Sequence, residues 1–326
     1  MTPTPLCPPV ADSNRGRRAV LCSVAGGLVA FAGCASEPGD APASGAEGQT
    51  PTDGDADSVT STDGDAETST PTESVPEAGR EVTTLMAGTE YETEVHHLRS
   101  GVAGPTAVVL GGVHGNEVGG IEAAHVATEY EVETGVLVVV PETNRPAVEA
   151  ETRYGPDGDL NRQFPLDGEP ETEIARAVWE LLGELEPDLL IDMHTSRGVY
   201  GLHEDTVGQV LFPSPADGAV EDAYAAAESV NEAYLDDLLG DELHPAYAFE
   251  PVYTEGVGDE PAVDGILVLT AGIDLDLKGW VTEVTYRGFD LEEQAFLHDR
   301  LTTALLGENG VDVESPLDTG PNPLLG

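Results

Sequence analysis

The sequence predicts an α/β fold in which a mixed, mostly parallel sheet carries helices on both faces. Two features point to it: nearly pure apolar runs that read as buried strands, and helical patterns placed between them. Thr106–Gly111 and Val136–Val140 are the clearest strands, and Leu189–Met193 is a third that leads directly into His194. Val118–Tyr130 and Glu171–Leu185 have the apolar spacing of helices, and Leu291–Leu306 reads as a closing helix. In such sheets, sites gather beyond the carboxyl ends of the strands, where His114 and His194 fall.

This domain is expected over residues 81–310, because residues 1–80 lack the apolar density of a core. Residues 1–34 read as a leader, with paired Arg17 and Arg18, a short apolar run of small residues, and Ala-Gly-Cys34. That pattern resembles a twin-arginine export signal closed by a lipoprotein box. The run Ala19–Ala32 is shorter than the roughly 20 residues of a membrane span. Lipidation at Cys34 would anchor an exported protein to the outer face of the cell membrane; a plain signal peptide or a buried cysteine is the other reading. All three cysteines lie in this leader, so the expected mature domain has neither a disulfide nor a thiolate ligand.

Residues 35–80 are rich in Ser, Thr, Asp, Gly, Pro and Glu and predict a disordered acidic tether. Its near-repeats, Thr52-Asp-Gly-Asp-Ala-Asp and Thr62-Asp-Gly-Asp-Ala-Glu, lack the closing Glu of a calcium loop and are assigned to spacer. Residues 311–326 are expected to be a flexible tail.

The 326 residues include 62 Asp and Glu against 13 Lys and Arg, a formal charge of −49, yet 40% are hydrophobic. A disordered acidic protein would not carry so much apolar sequence. Self-repulsion of this size destabilises a compact state in dilute salt, whereas molar salt shortens the Debye length to roughly 3 Å. The acidic residues are spread over every segment, which fits a salt-adapted surface better than a docking site for a cationic partner. Nucleic acid binding is disfavoured because no basic stripe exists to neutralise phosphates.

Four stretches carry chemistry. In Gly111-Gly-Val-His114-Gly-Asn-Glu117, an imidazole and a carboxylate stand three apart at the entrance to a helix, on one side of a turn, and both are zinc ligands by type. In Leu189-Leu-Ile-Asp-Met-His194-Thr-Ser, His194 would complete a two-His, one-carboxylate set with a position open for water. Asp192 either orients an imidazole from behind or caps the next turn. The third stretch, Arg153-Tyr154 followed by Asp159-Leu-Asn161-Arg162-Gln-Phe-Pro165, spends two of few basic residues in acidic surroundings, on salt bridges or on binding. The fourth, Gly279-Trp-Val-Thr-Glu283-Val-Thr-Tyr286, sets a Glu in an alternating strand. Such a carboxylate is solvated if it faces outward and a general base if it faces the metal.

Together the four stretches resemble the zinc carboxypeptidase superfamily and, within it, the succinylglutamate desuccinylase and aspartoacylase branch, from about Leu85 to Leu305. The resemblance implies a zinc carboxypeptidase-like fold, one zinc ion on His114, Glu117 and His194, and Glu283 as the base. It implies that Arg153 polarises the scissile carbonyl and that Asn161 and Arg162 hold a substrate carboxylate. The chain is similar to the catalytic domain only, as an exported lipoprotein of haloarchaeal type, because the stretch after Glu283 is too short for the β-rich domain that follows in that branch. Zinc is the expected ion, although such a site also takes cobalt or manganese in vitro.

The implied activity is hydrolysis of an amide next to a carboxylate-bearing group, in an N-acyl amino acid; the alternatives are a carboxypeptidase acting on peptides and a non-catalytic, lipid-anchored binding protein. A tyrosine assisting near the substrate would be Tyr247, Tyr253 or Tyr286. His96, His97, His125, His203, His244 and His298 are assigned to structure or surface, with His203 the one nearest to the third-ligand strand.

Overall fold

A computed structural model describes residues 77–240, 242–252, 265–320 and 322–325. The leader with Cys34, nearly all of the acidic tether and Tyr253 lie outside the described residues.

Apolar runs with β-branched residues set the sheet, since Val and Ile fit a pleat that is covered on both sides. Chain order gives β1 (Gly79–Leu85), β2 (Thr93–Arg99), β3 (Thr106–Leu110), α1 (Val118–Ala127), β4 (Glu131–Val132), β5 (Val136–Val140) and α2 (Arg145–Glu149). Then follow α3 (Glu173–Leu185), β6 (Leu189–Ser196), β7 (Val210–Pro213), α4 (Ala219–Val230), β8 (Glu250–Pro251), α5 (Leu267–Asp274), β9 (Lys278–Thr285), α6 (Leu291–Glu308) and β10 (Val313–Glu314). The eight-stranded sheet runs β1-β2-β5-β3-β6-β9-β7-β8, and β10 pairs separately with β4. Its centre, β5-β3-β6-β9, is parallel throughout; β7 then joins β9 antiparallel. The sheet is therefore mixed and mostly parallel, as expected.

Alternation along the central strands divides the core in two. Val109, Ile191, Met193 and Trp280 pack on one face with Ala123 of α1, Ala223 of α4 and Leu301 of α6. Val108, Leu110, Leu190 and Val281 pack on the other with Val178 of α3 and Val268 of α5. Trp280 is fully buried, and its Nε1 donates to the Ala219 carbonyl at 2.7 Å, which pins α4 to β9.

Local signals explain most helix ends. Thr172 caps α3 by accepting from Ala175 N, and Asp290 and Glu293 form a capping box on α6. α1 stops at Ala127, short of the predicted Tyr130, as the chain turns so that Tyr130 is buried and its hydroxyl donates to Asp299 at 2.6 Å. β6 runs on through His194 to Ser196 because β9 pairs with it along its whole length, so His194 sits within a strand and not beyond its end. The last residues differ from the expected flexible tail. Ser315 donates to buried Asp299 at 2.6 Å, Asp318 pairs with Arg300 at 2.5 Å, and Val311 and Leu324 join the core. No helix among the described residues is long and apolar enough to cross a membrane.

Candidate metal centre

The turn after β3 carries His114, and Glu117 occupies the N-cap position of α1. A short polar residue there usually caps the helix, but the Glu117 side chain makes no cap hydrogen bond. It turns to the histidines instead: Oε1 lies 2.9 Å from His114 Nδ1, and Oε2 lies 2.7 Å from His194 Nδ1 and accepts from Thr195 N at 3.0 Å. Close backbone packing makes this possible. A Cβ on Gly115 would stand 1.9 Å from the Ala147 carbonyl oxygen, and one on Gly120 would stand 2.5 Å from that of Met193. Any larger residue would push the ligand turn off α2, or α1 off β6.

The two Nδ1 atoms are 3.1 Å apart, and the ligand atoms of His114, Glu117 and His194 all lie within 4.8 Å of one another, in buried surroundings. Two imidazole nitrogens and a carboxylate converging on one point are the donor set of a catalytic zinc site, and no other group of three or more candidate ligands exists among the described residues. The far nitrogens are held as well: His114 Nε2 is 2.8 Å from Asp159 Oδ1, and His194 Nε2 is 2.9 Å from Asp192 Oδ2. Those carboxylates orient each ring so that Nδ1 faces the shared point. The residues fit a divalent cation.

Charge in the metal-free protein tells the same story. Burial opposes ionisation of Glu117, yet His194 and His114 outweigh it and hold the carboxyl well below the usual range. Burial likewise opposes the charged form of His194, but Asp192 and Glu117 raise it well above the ordinary histidine value. The two flanking carboxylates thus favour positive charge at His194, where a cation would sit.

β9 delivers Glu283. The ladder sets it directly beside His194, on the same face of the sheet. Burial, then the Glu117 charge, push its carboxyl up to about 8 in the metal-free site. Glu283, the three candidate ligands, Arg153, Asn161 and Arg162 line one cleft of about 590 Å³.

Arg153 donates to Glu117 Oε1 at 2.9 Å and lies 3.6 Å from Asp159, with its guanidinium partly exposed. Asn161 is largely committed to structure: its Oδ1 accepts from Leu267 N at 3.0 Å, and its Nδ2 faces His194 Nε2 at 3.5 Å. Arg162 has no carboxylate within 4.0 Å among the described residues, despite the acidic sequence; its Nη1 donates to the neighbouring Asn161 carbonyl. Tyr286 is exposed and lines the cleft, whereas Tyr247 is buried against Phe289. His203 accepts from Val199 N and stays outside the cleft.

Sequence reasoning missed Asp159 as an imidazole partner, although it opens the very stretch singled out for Asn161 and Arg162. A carboxylate on the far nitrogen of each ligating histidine is the signal that would have found it. Also missed were Thr195, Arg197 and an apolar wall of the cleft.

Residues 103–207 match the succinylglutamate desuccinylase/aspartoacylase catalytic domain. His114, Glu117, Arg153, Asn161, Arg162 and His194 all fall in that segment; Glu283 lies beyond it and joins the site through the β6–β9 ladder. Over 100 residues the chain is 35% identical to the N-alpha-acetyl-L-2,4-diaminobutyric acid deacetylase of Halomonas elongata, a match covering 28% of this chain and 29% of the relative.

The fold is similar to that of the cell shape determinant Csd4 of Helicobacter pylori, with a TM-score of 0.58 and 21% identity over 68% of this chain and 54% of that one. A form of Csd4 bound to mDAP is described as a D,L-carboxypeptidase. The ectoine utilization protein EutE (DoeB) of Ruegeria pomeroyi superposes with a TM-score of 0.52 and 21% identity, over 76% of this chain and 73% of that one. The chain thus spans about half the length of Csd4, and at these identities the likeness concerns the zinc carboxypeptidase-like fold.

Proposed function

We propose that the chain is a zinc-dependent amidohydrolase of the succinylglutamate desuccinylase/aspartoacylase family that hydrolyses an amide next to a carboxylate-bearing group, in an N-acyl amino acid. The observation that carries this reading is the convergence of His114 Nδ1, His194 Nδ1 and the Glu117 carboxylate within 4.8 Å, with Glu283 facing the same cleft. The chemistry a zinc ion supplies in such a site is polarisation of the carbonyl and a lowered pKa of water.

This chain's residues then divide the work. Glu283 takes a proton from the attacking water as the C–O bond forms, and then passes it to the nitrogen as the C–N bond breaks, so that a carboxylate and an amine result. The Arg153 guanidinium, already at the rim of the ligand cluster, steadies the oxyanion as charge develops. Arg162, free of carboxylate partners among the described residues, holds the substrate carboxylate through its planar fork. Asp159 and Asp192 hold the imidazoles in register.

The test is hydrolysis of N-acyl amino acids beside short peptides in molar salt. Cleavage of N-acyl amino acids supports the deacylase reading, and cleavage of peptides alone replaces it with a carboxypeptidase. A folded, metal-loaded protein that cleaves neither is a binding protein. We further propose export and lipidation at Cys34, with the acidic tether holding the domain off the membrane. Mass spectrometry of the native protein would show a lipid on Cys34; an unmodified Cys34 in the mature chain would refute the anchor.

A further inference from the structure

We infer that the cleft contains an apolar subsite beside the carboxylate grip, so that the amino acid released by hydrolysis bears an aliphatic or aromatic side chain. This rests on the hydrolase reading and names its substrate class. On the sheet, Phe212 of β7 stands opposite Val281 of β9, and Val281 shares a face with Glu283 two residues further on. Two residues along a strand are about 7 Å, so Val281 and its neighbour Phe212 lie one strand repeat from Glu283 on the same wall of the cleft.

At the start of α5, Ile266 and Leu269 also line the cleft, and this pair packs into neither of the two cores. An apolar pair that packs outside both cores and lines a cleft is a surface that an apolar group of a ligand can cover. The same segment is tied to the carboxylate grip: Leu267 N donates to Asn161 Oδ1 at 3.0 Å, and Phe164 N donates to the Gly265 carbonyl at 3.3 Å. The segment that carries Arg162 and the one that carries Ile266 and Leu269 are therefore hydrogen-bonded to each other. A substrate whose carboxylate meets Arg162 presents its neighbouring side chain to Phe212, Ile266, Leu269 and Val281.

A charged side chain there would lose its water against the apolar side chains of Phe212, Ile266, Leu269 and Val281. The remaining charged cleft residues, Arg197 and Asp205, follow the end of β6, on the opposite side of the His194–Glu283 row from Val281.

The experiment compares N-acetyl-leucine, N-acetyl-alanine and N-acetyl-aspartate on the zinc-loaded protein in molar salt. It also measures binding of free leucine and aspartate by calorimetry. A pocket contact of this kind discriminates by about 10- to 200-fold per methylene-scale group, so kcat/KM is expected to favour the leucine over the aspartate derivative by at least about tenfold. Leu269→Ala should shrink the leucine-to-alanine ratio, and Leu269→Lys should turn the preference toward aspartate. An aspartate derivative preferred by the parent, or ratios indifferent to both variants, would overturn the subsite while leaving the hydrolase reading intact. If no N-acyl amino acid is cleaved, the deacylase reading fails, and calorimetry still decides the subsite: leucine bound more tightly than aspartate upholds it, and equal or reversed binding overturns it.

Discussion

Replacing Asp192 by Asn changes one charge and almost no volume, at a fully buried position 2.9 Å behind His194. Oδ2 faces Nε2 and keeps a proton there, so the proton that metal displaces comes from Nδ1, the atom that faces Glu117 and the metal point. Asp192 Oδ1 has no hydrogen-bond partner among the described residues. An asparagine has two ways to sit, and both are worse.

With its carbonyl toward His194, the amide group takes the place of Oδ1 as an unpartnered buried donor, costing about 1–3 kcal/mol. With its amide toward His194, Nε2 must accept, and the proton moves to Nδ1, the ligand atom itself. Zinc affinity should fall about 10- to 100-fold, or about 1.4–2.8 kcal/mol, which is the usual effect of losing such a partner. Competition with a chromophoric chelator in molar salt measures it, with circular dichroism as the check on folding. The pH dependence of binding should also flatten, because Asp192 is one of the two carboxylates that raise His194. A folded variant that binds zinc within twofold of the parent and with an unchanged pH slope would refute the reasoning.

Zinc binding should expel protons: His194 is raised and Glu283 titrates near 8 without metal, so at neutral pH both hold protons that the cation displaces. Affinity should therefore climb as pH rises from 6 to 8, with the proton release read by calorimetry in buffers of different ionisation enthalpy; equal affinity at both ends would contradict this. Asp299→Ala should destabilise the fold by about 3–5 kcal/mol, since it strips the buried partner of Arg300, Tyr130 and Ser315, and denaturant unfolding in constant salt would record it. Dilution from molar to 0.1 M salt lengthens the Debye length from roughly 3 to 10 Å and should lower Tm steeply; a Tm insensitive to salt would argue against a salt-adapted surface.

The central strands were legible because Thr106–Leu110, Val136–Val140 and Leu189–Met193 are buried on both faces and so carry unbroken apolar sequence. The metal candidates were legible because histidine and glutamate stand out at the ends of such runs. What escaped notice depends on contacts between distant segments. β6 continues past His194 only because β9 pairs with it, and β7, four residues long, gains its place from the antiparallel ladder to β9. Asp159 is an ordinary acid in a chain crowded with them until the fold sets it behind His114, whereas Asp192, two residues before His194, was open to reading as an imidazole partner. The ordered C-terminus hangs on the Asp299 cluster, whose partners Tyr130 and Ser315 are far apart in sequence. Composition at that end, rich in proline and glycine, pointed the other way.

The central claim is that one ion sits on His114, Glu117 and His194 while Glu283 moves the proton. Metal content and turnover, measured together in molar salt on the protein from Ala35 onward and on Glu283→Gln, test it most directly. The expected result is about one zinc per chain in both proteins, with hydrolysis of an N-acyl amino acid in the parent and a loss of roughly 10²- to 10⁴-fold in the variant. Correctly folded protein that binds no metal, or a Glu283→Gln variant that turns over as fast as the parent, would contradict it.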